Sequence, residues 1–126
     1  MMNDLITRWA QQEAVREAAL ATSAARDLVS RYVAGQDLDA VVPVLKSLVD
    51  KGLLVSVGYL GDHVQILDEA AENAKVYLDI VQRLSDEGLA SSSELSLRLS
   101  RIGQKLGTAG RGFALQAARK ICRAAS

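Results

Sequence analysis

The sequence predicts an α/β fold in which short parallel strands alternate with covering helices, and three observations carry that expectation. Residues 53–60, Leu-Leu-Val-Ser-Val-Gly-Tyr-Leu, form an apolar run of strand length, the pattern of a strand buried in a parallel sheet. Leu95, Leu97 and Leu99 alternate with Ser96, Arg98 and Ser100, the two-residue period of a strand with one apolar and one polar face. Between these runs, Leu67, Ala70, Ala71, Ala74, Tyr77, Leu78, Val81 and Leu84 recur at helical spacing, which completes a strand–helix–strand unit.

The chain has 126 residues, enough for one domain, and 49% of them are hydrophobic, so a packed core is expected. Fifteen Lys and Arg residues balance fifteen Asp and Glu residues, and the whole-chain charge therefore gives no argument for nucleic acid or an anionic membrane. Cys122 is the single cysteine, which excludes an internal disulfide, fits a reducing compartment and is expected to fill the core. Met1 to Trp9 include Asp4 and Arg8, so they do not make a signal peptide. No apolar run approaches the roughly 18 residues that span a bilayer. The expectation is a cytoplasmic protein.

In chain order, Asn3 to about Ala21 is rich in Ala, Gln, Glu and Arg and reads as a helix capped by Asn3 or Asp4. Thr22 and Ser23 give a break and a second cap, after which Ala24, Leu28, Val29, Tyr32 and Val33 continue at helical spacing. Gly35 fits the left-handed position past a helix end. Residues 1–36 are thus expected as an N-terminal helical arm, and 37–126 as the α/β part. Asp39, in preference to Asp37, caps the next helix, because Pro43 is tolerated best in a first turn or at a slight kink; Gly52 ends it. Gly58 to His63 is a strand-to-loop transition, where parallel α/β folds place ligand-binding residues. Asp68 and Glu69 lie in the first turn of the long helix, where acids suit its dipole, and Gly88 closes it. Ser91, Ser92 and Ser93 connect to the second strand. Gly103, Gly107 and Gly110 suggest a mobile loop before a last helix from about Arg111 to Ala124, basic on its outer side through Arg119, Lys120 and Arg123.

Two parallel strands make a poor sheet, since parallel sheets bury both faces and need several neighbours. Either the open strand edges pair in an oligomer, or these elements begin a larger α/β barrel, which typically takes about 250 residues. Inside such a barrel, a cation near the end of a strand binds an anion or a carboxylate. The other reading of Arg98 is a solvated charge on an exposed strand.

Individual residues carry little further chemistry. His63, the one histidine, stands beside Asp62 without enough ligands nearby for a metal, and reads as an exposed loop residue. The glycines from 103 to 112 match neither phosphate-binding pattern. The basic residues Arg98, Arg101, Lys105, Arg111, Arg119, Lys120 and Arg123 are interleaved with one aromatic, Phe113, and read as a solvated face before they read as a nucleic-acid surface. With one histidine and one cysteine, no nucleophilic triad is arguable.

Three stretches together resemble a known family. Tyr32-Val33-Ala34-Gly35-Gln36-Asp37-Leu38-Asp39, then Gly58-Tyr59-Leu60-Gly61-Asp62, then Leu95-Ser96-Leu97-Arg98-Leu99-Ser100-Arg101-Ile102-Gly103-Gln104, with Ala114-Leu115 to Ile121-Cys122 behind, are similar to monofunctional proline dehydrogenases. The resemblance runs in order from about Arg26 to the C-terminus. It implies the N-terminal part of a distorted (β/α)8 (TIM-type) barrel that binds FAD, oxidises L-proline to 1-pyrroline-5-carboxylate in proline catabolism, and passes electrons to a quinone-type acceptor, through which it would touch a membrane surface. It further implies that Arg98, at the position of a family lysine, lies under the flavin and meets the substrate carboxylate, and that Asp62, at the position of a family glutamate, belongs to the substrate region. No catalytic residue and no metal ligand is expected within these residues.

Three positions depart from the family pattern. Gly58 stands for an aspartate, Asp62 for a glutamate and Arg98 for a lysine; the planar guanidinium is not interchangeable with an ammonium. The family's late pair of arginines and most of its flavin contacts have no counterpart in these 126 residues. The rival expectation is therefore a truncated, non-catalytic remnant that acts as an oligomeric or partner-binding module through its open strand edges. A third, weaker one is a basic-helix nucleic-acid binder.

Overall fold

A computed structural model describes Ala14, Glu17, Ala18, residues 21–61 and residues 63–126. The helix expected over Asn3 to Ala21 falls largely outside the described residues. The chain divides after Val41 into two compact units. In chain order the described elements are α1 (Ser23–Tyr32), α2 (Leu38–Asp50), β1 (Val55–Gly58), α3 (Leu67–Asp86), β2 (Ser93–Ser96) and α4 (Gly107–Ala125), with single 3₁₀ turns at Ala90–Ser92 and Leu99–Ile102.

In the first unit, the Thr22 hydroxyl accepts from the Ala25 N–H and caps α1, as its type and place suggest. No residue of α1 is buried. Gly35 does not adopt the left-handed conformation expected of it. It serves a close approach instead: a Cβ there would stand 2.8 Å from that of Ala40. The cap of α2 is Asp37, not Asp39, because the Asp37 carboxylate accepts from the Ala40 N–H at 2.8 Å. Pro43 consequently lies inside the helix, beyond its first turn.

The second unit holds the sheet. Strands β1 and β2 pair in parallel, with Val55 opposite Ser93, Val57 opposite Leu95 and Gly58 opposite Ser96, and α3 connects them. Both strands are shorter than their sequence patterns. Leu53, Leu54 and Leu60 lie outside β1 and are exposed, Leu54 to 84%, so the expected buried eight-residue run is a four-residue strand. Strand β2 ends at Ser96, and Arg98 therefore lies past the strand rather than at its heart.

Two glycines with positive φ end helices in the same way. At Gly52 and Gly88 the chain turns left-handed, and the next residue donates back across the turn, Leu53 to the Leu48 carbonyl and Leu89 to that of Leu84. Leu84 and Leu89, brought together by the second turn, are both buried. Glu69 reaches back from the first turn of α3 and accepts from the Gln65 and Ile66 N–H groups. The buried stripe of α3 is Ala70, Ala74, Tyr77, Ile80 and Leu84. Leu67 and Ala71, expected on that stripe, are exposed, and Ile80 takes a place in it.

The core joins Ala74 and Tyr77 of α3 to Ile102 and to Ala114 and Ile121 of α4, and Leu95 and Leu97 pack against it. The opposite face of the sheet is uncovered: Ser56, Gly58, Glu94 and Ser96 are exposed. The glycine-rich stretch is not the expected loop, since α4 starts at Gly107 and includes Gly110 and Gly112. Gly110 is buried because the Gly103 carbonyl passes over it, at 2.3 Å from where a Cβ would be. Cys122, expected in the core, is exposed; its neighbour Ile121 is the residue that α4 turns inward.

Glu87 closes α3 by accepting from Lys46 of α2 and from Arg83 Nε at 2.8 Å. The Lys46 hydrogen bond first, and the Arg83 one second, hold the Glu87 carboxyl below its ordinary value of 4.5. The group binds its proton less readily folded than unfolded, so its contribution to stability is complete above that ordinary value and is lost as pH falls through the lower folded value. Acid unfolding curves of the wild type and of Glu87→Gln should accordingly differ above pH ~4.5 and converge below it.

Gly110 and Gly112 should respond oppositely to the same change. Gly110→Ala forces a methyl into the Gly103 carbonyl and is expected to cost about 1–3 kcal/mol in a urea melt. Gly112→Ala meets nothing within 4 Å. It should raise stability by about 0.5–1 kcal/mol through helix propensity.

Candidate functional site

The C-terminal ends of both strands converge on one side chain. Tyr77 is fully buried on α3, and its hydroxyl, which needs a partner when buried, accepts from the Arg98 N–H at 3.3 Å. Its ring meets that of Tyr59, in the loop after β1, edge to face, with centroids 5.8 Å apart and planes at 89°. Such aromatic pairs contribute about 0.5–1.5 kcal/mol beyond burial. One helical turn before Tyr77, the Asn73 amide donates to the Arg101 carbonyl at 2.9 Å. Asn73 and Tyr77 thus hold the two ends of the segment from Arg98 to Arg101. The 3₁₀ turn between those ends closes through the Arg101 N–H, which donates to the Arg98 carbonyl.

This tether presents Arg98 just past β2. Its side chain is exposed and has no hydrogen-bond or ion-pair partner among the described residues. Beside it, the paired Gly58 and Ser96 leave the end of the uncovered sheet face low: a Cβ on Gly58 would meet only the Ser96 Cβ, at 3.8 Å. Arg101 differs from Arg98, for it is half-buried and its Nη1 is buried with no partner. Asp62, the other sequence-derived site residue, lies outside the described residues.

An open pocket of about 260 Å³ lies at the same end of β1, lined by Tyr59, His63, Val64, Glu69, Glu72 and Asn73. His63 is exposed, as its loop position suggests. Among the described residues, no group of His, Cys, Asp and Glu is arranged to hold a metal ion. Nor is any described helix long and apolar enough to cross a membrane.

Sequence reasoning placed Tyr77 merely on an apolar helix face and passed over Asn73. The available signal was chemical: a tyrosine within a buried stripe must find a partner for its hydroxyl, and an asparagine four residues away shares its face.

The chain is 34% identical over 76 residues to proline dehydrogenase 1 of Bacillus subtilis strain 168, a match that covers 60% of this chain and 24% of that protein. Proline dehydrogenase 2 of the same strain is 26% identical over 78 residues, covering 62% of this chain and 25% of its own length. The chain therefore spans about a quarter of the length of the curated relatives it matches. No family model matches it, and neither does any solved structure.

Tyr77→Phe tests the tether without disturbing the core. It keeps the ring contact with Tyr59 but strands the Arg98 N–H, and should cost about 0.5–1.5 kcal/mol in a denaturant melt while speeding hydrogen exchange at the Arg98 amide.

Proposed function

We propose that this chain is a segment of a proline dehydrogenase-like flavoprotein, with the ends of β1 and β2 forming one side of its substrate region. The observation that carries this reading is the unpartnered side chain of Arg98, whose backbone N–H is held by Tyr77 just past the C-terminal end of a parallel strand, where α/β folds bind ligands. The similarity to the Bacillus subtilis enzymes supports it. So does the two-faced sheet: one face packs on helices, and the other, with Ser56, Gly58, Glu94 and Ser96, is left open.

The residues present fit the edge of a flavin site, because Gly58 and Ser96 provide a low floor without projecting side chains and Arg98 stands beside it. When bound, FAD would supply the two-electron acceptor for oxidation of the substrate carbon–nitrogen bond. The chain's own residues do the positioning. Arg98 would grip the L-proline carboxylate through its fork of donors, Tyr77 and Asn73 would hold the backbone from which that side chain extends, and Asp62 would contribute negative charge to the substrate region. Electrons would leave to a quinone-type acceptor.

A second reading is a non-catalytic module that associates through its strands, favoured by the two-stranded sheet, in which β1 and β2 each pair on one edge only among the described residues.

The deciding measurement is the visible spectrum of the chain after mixing with FAD and desalting. A retained flavin band that L-proline bleaches is the expected result, with Arg98→Ala weakening proline-dependent bleaching at least about tenfold, the loss of one charge-assisted contact. A chain that retains no flavin would favour the second reading.

A further inference from the structure

The turn after β2 carries two arginines whose side chains have no partner. The Arg101 N–H donates to the Arg98 carbonyl, so the two residues are the ends of one closed turn and their Cα atoms lie within about 7 Å of each other. Both ends are held from α3, Arg98 through its N–H by the Tyr77 hydroxyl and Arg101 through its carbonyl by the Asn73 amide. Neither guanidinium makes an ion pair or a hydrogen bond among the described residues. The two differ in their surroundings. Arg98 is exposed, as a solvated arginine would be, whereas Arg101 is half-buried and its Nη1 is enclosed with no acceptor. A guanidinium is always charged, and a charge taken partly out of water is ordinarily paired. No acidic side chain comes from the neighbouring sequence, because residues 95–126 include seven Arg and Lys and no Asp or Glu.

We propose that Arg98 and Arg101 together form a binding site for a doubly charged oxyanion of the phosphate class. Two like charges on one turn repel each other, and an anion shared between them replaces that repulsion with two attractions. An anion with two negative charges and several acceptor oxygens matches two planar forks of donors better than a single carboxylate does. Enclosure of Nη1 sets the Arg101 guanidinium in place before a ligand arrives, so less side-chain freedom is lost on binding. Its Nε and Nη2, not enclosed in this way, remain to donate. The exposed Arg98 supplies the second fork. The site goes beyond the flavoprotein reading and does not depend on it, since both arginines belong to the turn whether or not a flavin binds. Where that reading holds, the oxyanion and the L-proline carboxylate compete for Arg98.

Titration of the full chain with inorganic phosphate at constant ionic strength, followed through the arginine Nε–H resonances by nuclear magnetic resonance, tests this. The Arg98 and Arg101 resonances should move together and saturably, with a Kd on the order of 1 mM, while chloride at the same ionic strength moves neither. Arg98→Lys and Arg101→Lys keep the charge but lose the fork, and each should weaken binding about tenfold. Arg101→Met keeps an apolar stem and removes the enclosed charge. It should abolish the saturable shift at Arg98 and raise the urea midpoint, the opposite of what a purely structural arginine would do. Adenosine monophosphate that displaces phosphate with a Kd at least about tenfold lower identifies a phosphate carried by a larger molecule, and equal or weaker binding identifies the free ion; either result upholds the site. No saturable shift at Arg101 up to about 50 mM phosphate overturns it. So does a shift at Arg98 that persists unchanged in Arg101→Met, which would make Arg98 a lone surface cation. Should that variant not fold, an unchanged phosphate affinity in Arg101→Lys overturns the proposal instead. A chain that takes up no flavin yet binds phosphate in this way loses the flavoprotein reading alone.

Discussion

The buried hydroxyl of Tyr77 is the constraint on which the second unit depends. A tyrosine carried fully inside on α3 must satisfy its oxygen, and it does so with the Arg98 N–H just past β2, while its ring meets that of Tyr59 just past β1 edge to face. One residue on the connecting helix thereby fixes the ends of both strands it connects. Asn73, a turn earlier, takes the Arg101 carbonyl and prevents the segment from swinging. These interior groups hold the backbone from which the exposed Arg98 side chain extends.

The sheet shows the same division between held and open sides. Val55 and Val57 are buried, and Leu95 and Leu97 pack on the core of α3 and α4, whereas Ser56, Gly58, Glu94 and Ser96 carry little volume beyond their backbone plane apart from Glu94. Parallel strands are ordinarily covered on both faces. A face of small polar residues with a cation at its end is suited to receive a flat ligand or further strands, and both the flavoprotein reading and the associating-module reading start from it. The close passage of the Gly103 carbonyl over Gly110 matters for the same reason: it lets α4 sit tightly against the turn that follows Arg98.

Charge is organised on a larger scale than single pairs. A neutral total conceals a segregation along the chain, with seven Asp and Glu in residues 63–94 and none in residues 95–126, and the ion pairs of Glu87 with Lys46 and Arg83 lie at the end of α3. Net charge therefore described this chain poorly, since the sign that a partner meets depends on which helix it approaches.

The sequence by itself determined what local chemistry controls. The order of strand, helix and strand follows from periodicity; the end of α2 at Gly52 and of α3 at Gly88 follows from the freedom of glycine to turn left-handed; the start of α1 at Thr22 follows from a hydroxyl that can cap. The spacing put Arg98 within the second strand, and only the structure sets it past the strand end. Tertiary structure decided the rest. The leucine alternation continues to Leu99, yet β2 stops at Ser96, and two residues on the Arg98 N–H donates to Tyr77, twenty-one positions earlier in the chain, rather than to a strand. Glycines that read as a loop became helix because a carbonyl from outside α4 needs the space of a missing side chain, and Cys122 faces solvent because packing on Ile121 sets the rotation of that helix. These outcomes turn on contacts between residues far apart in the chain, and a local pattern carries no record of them.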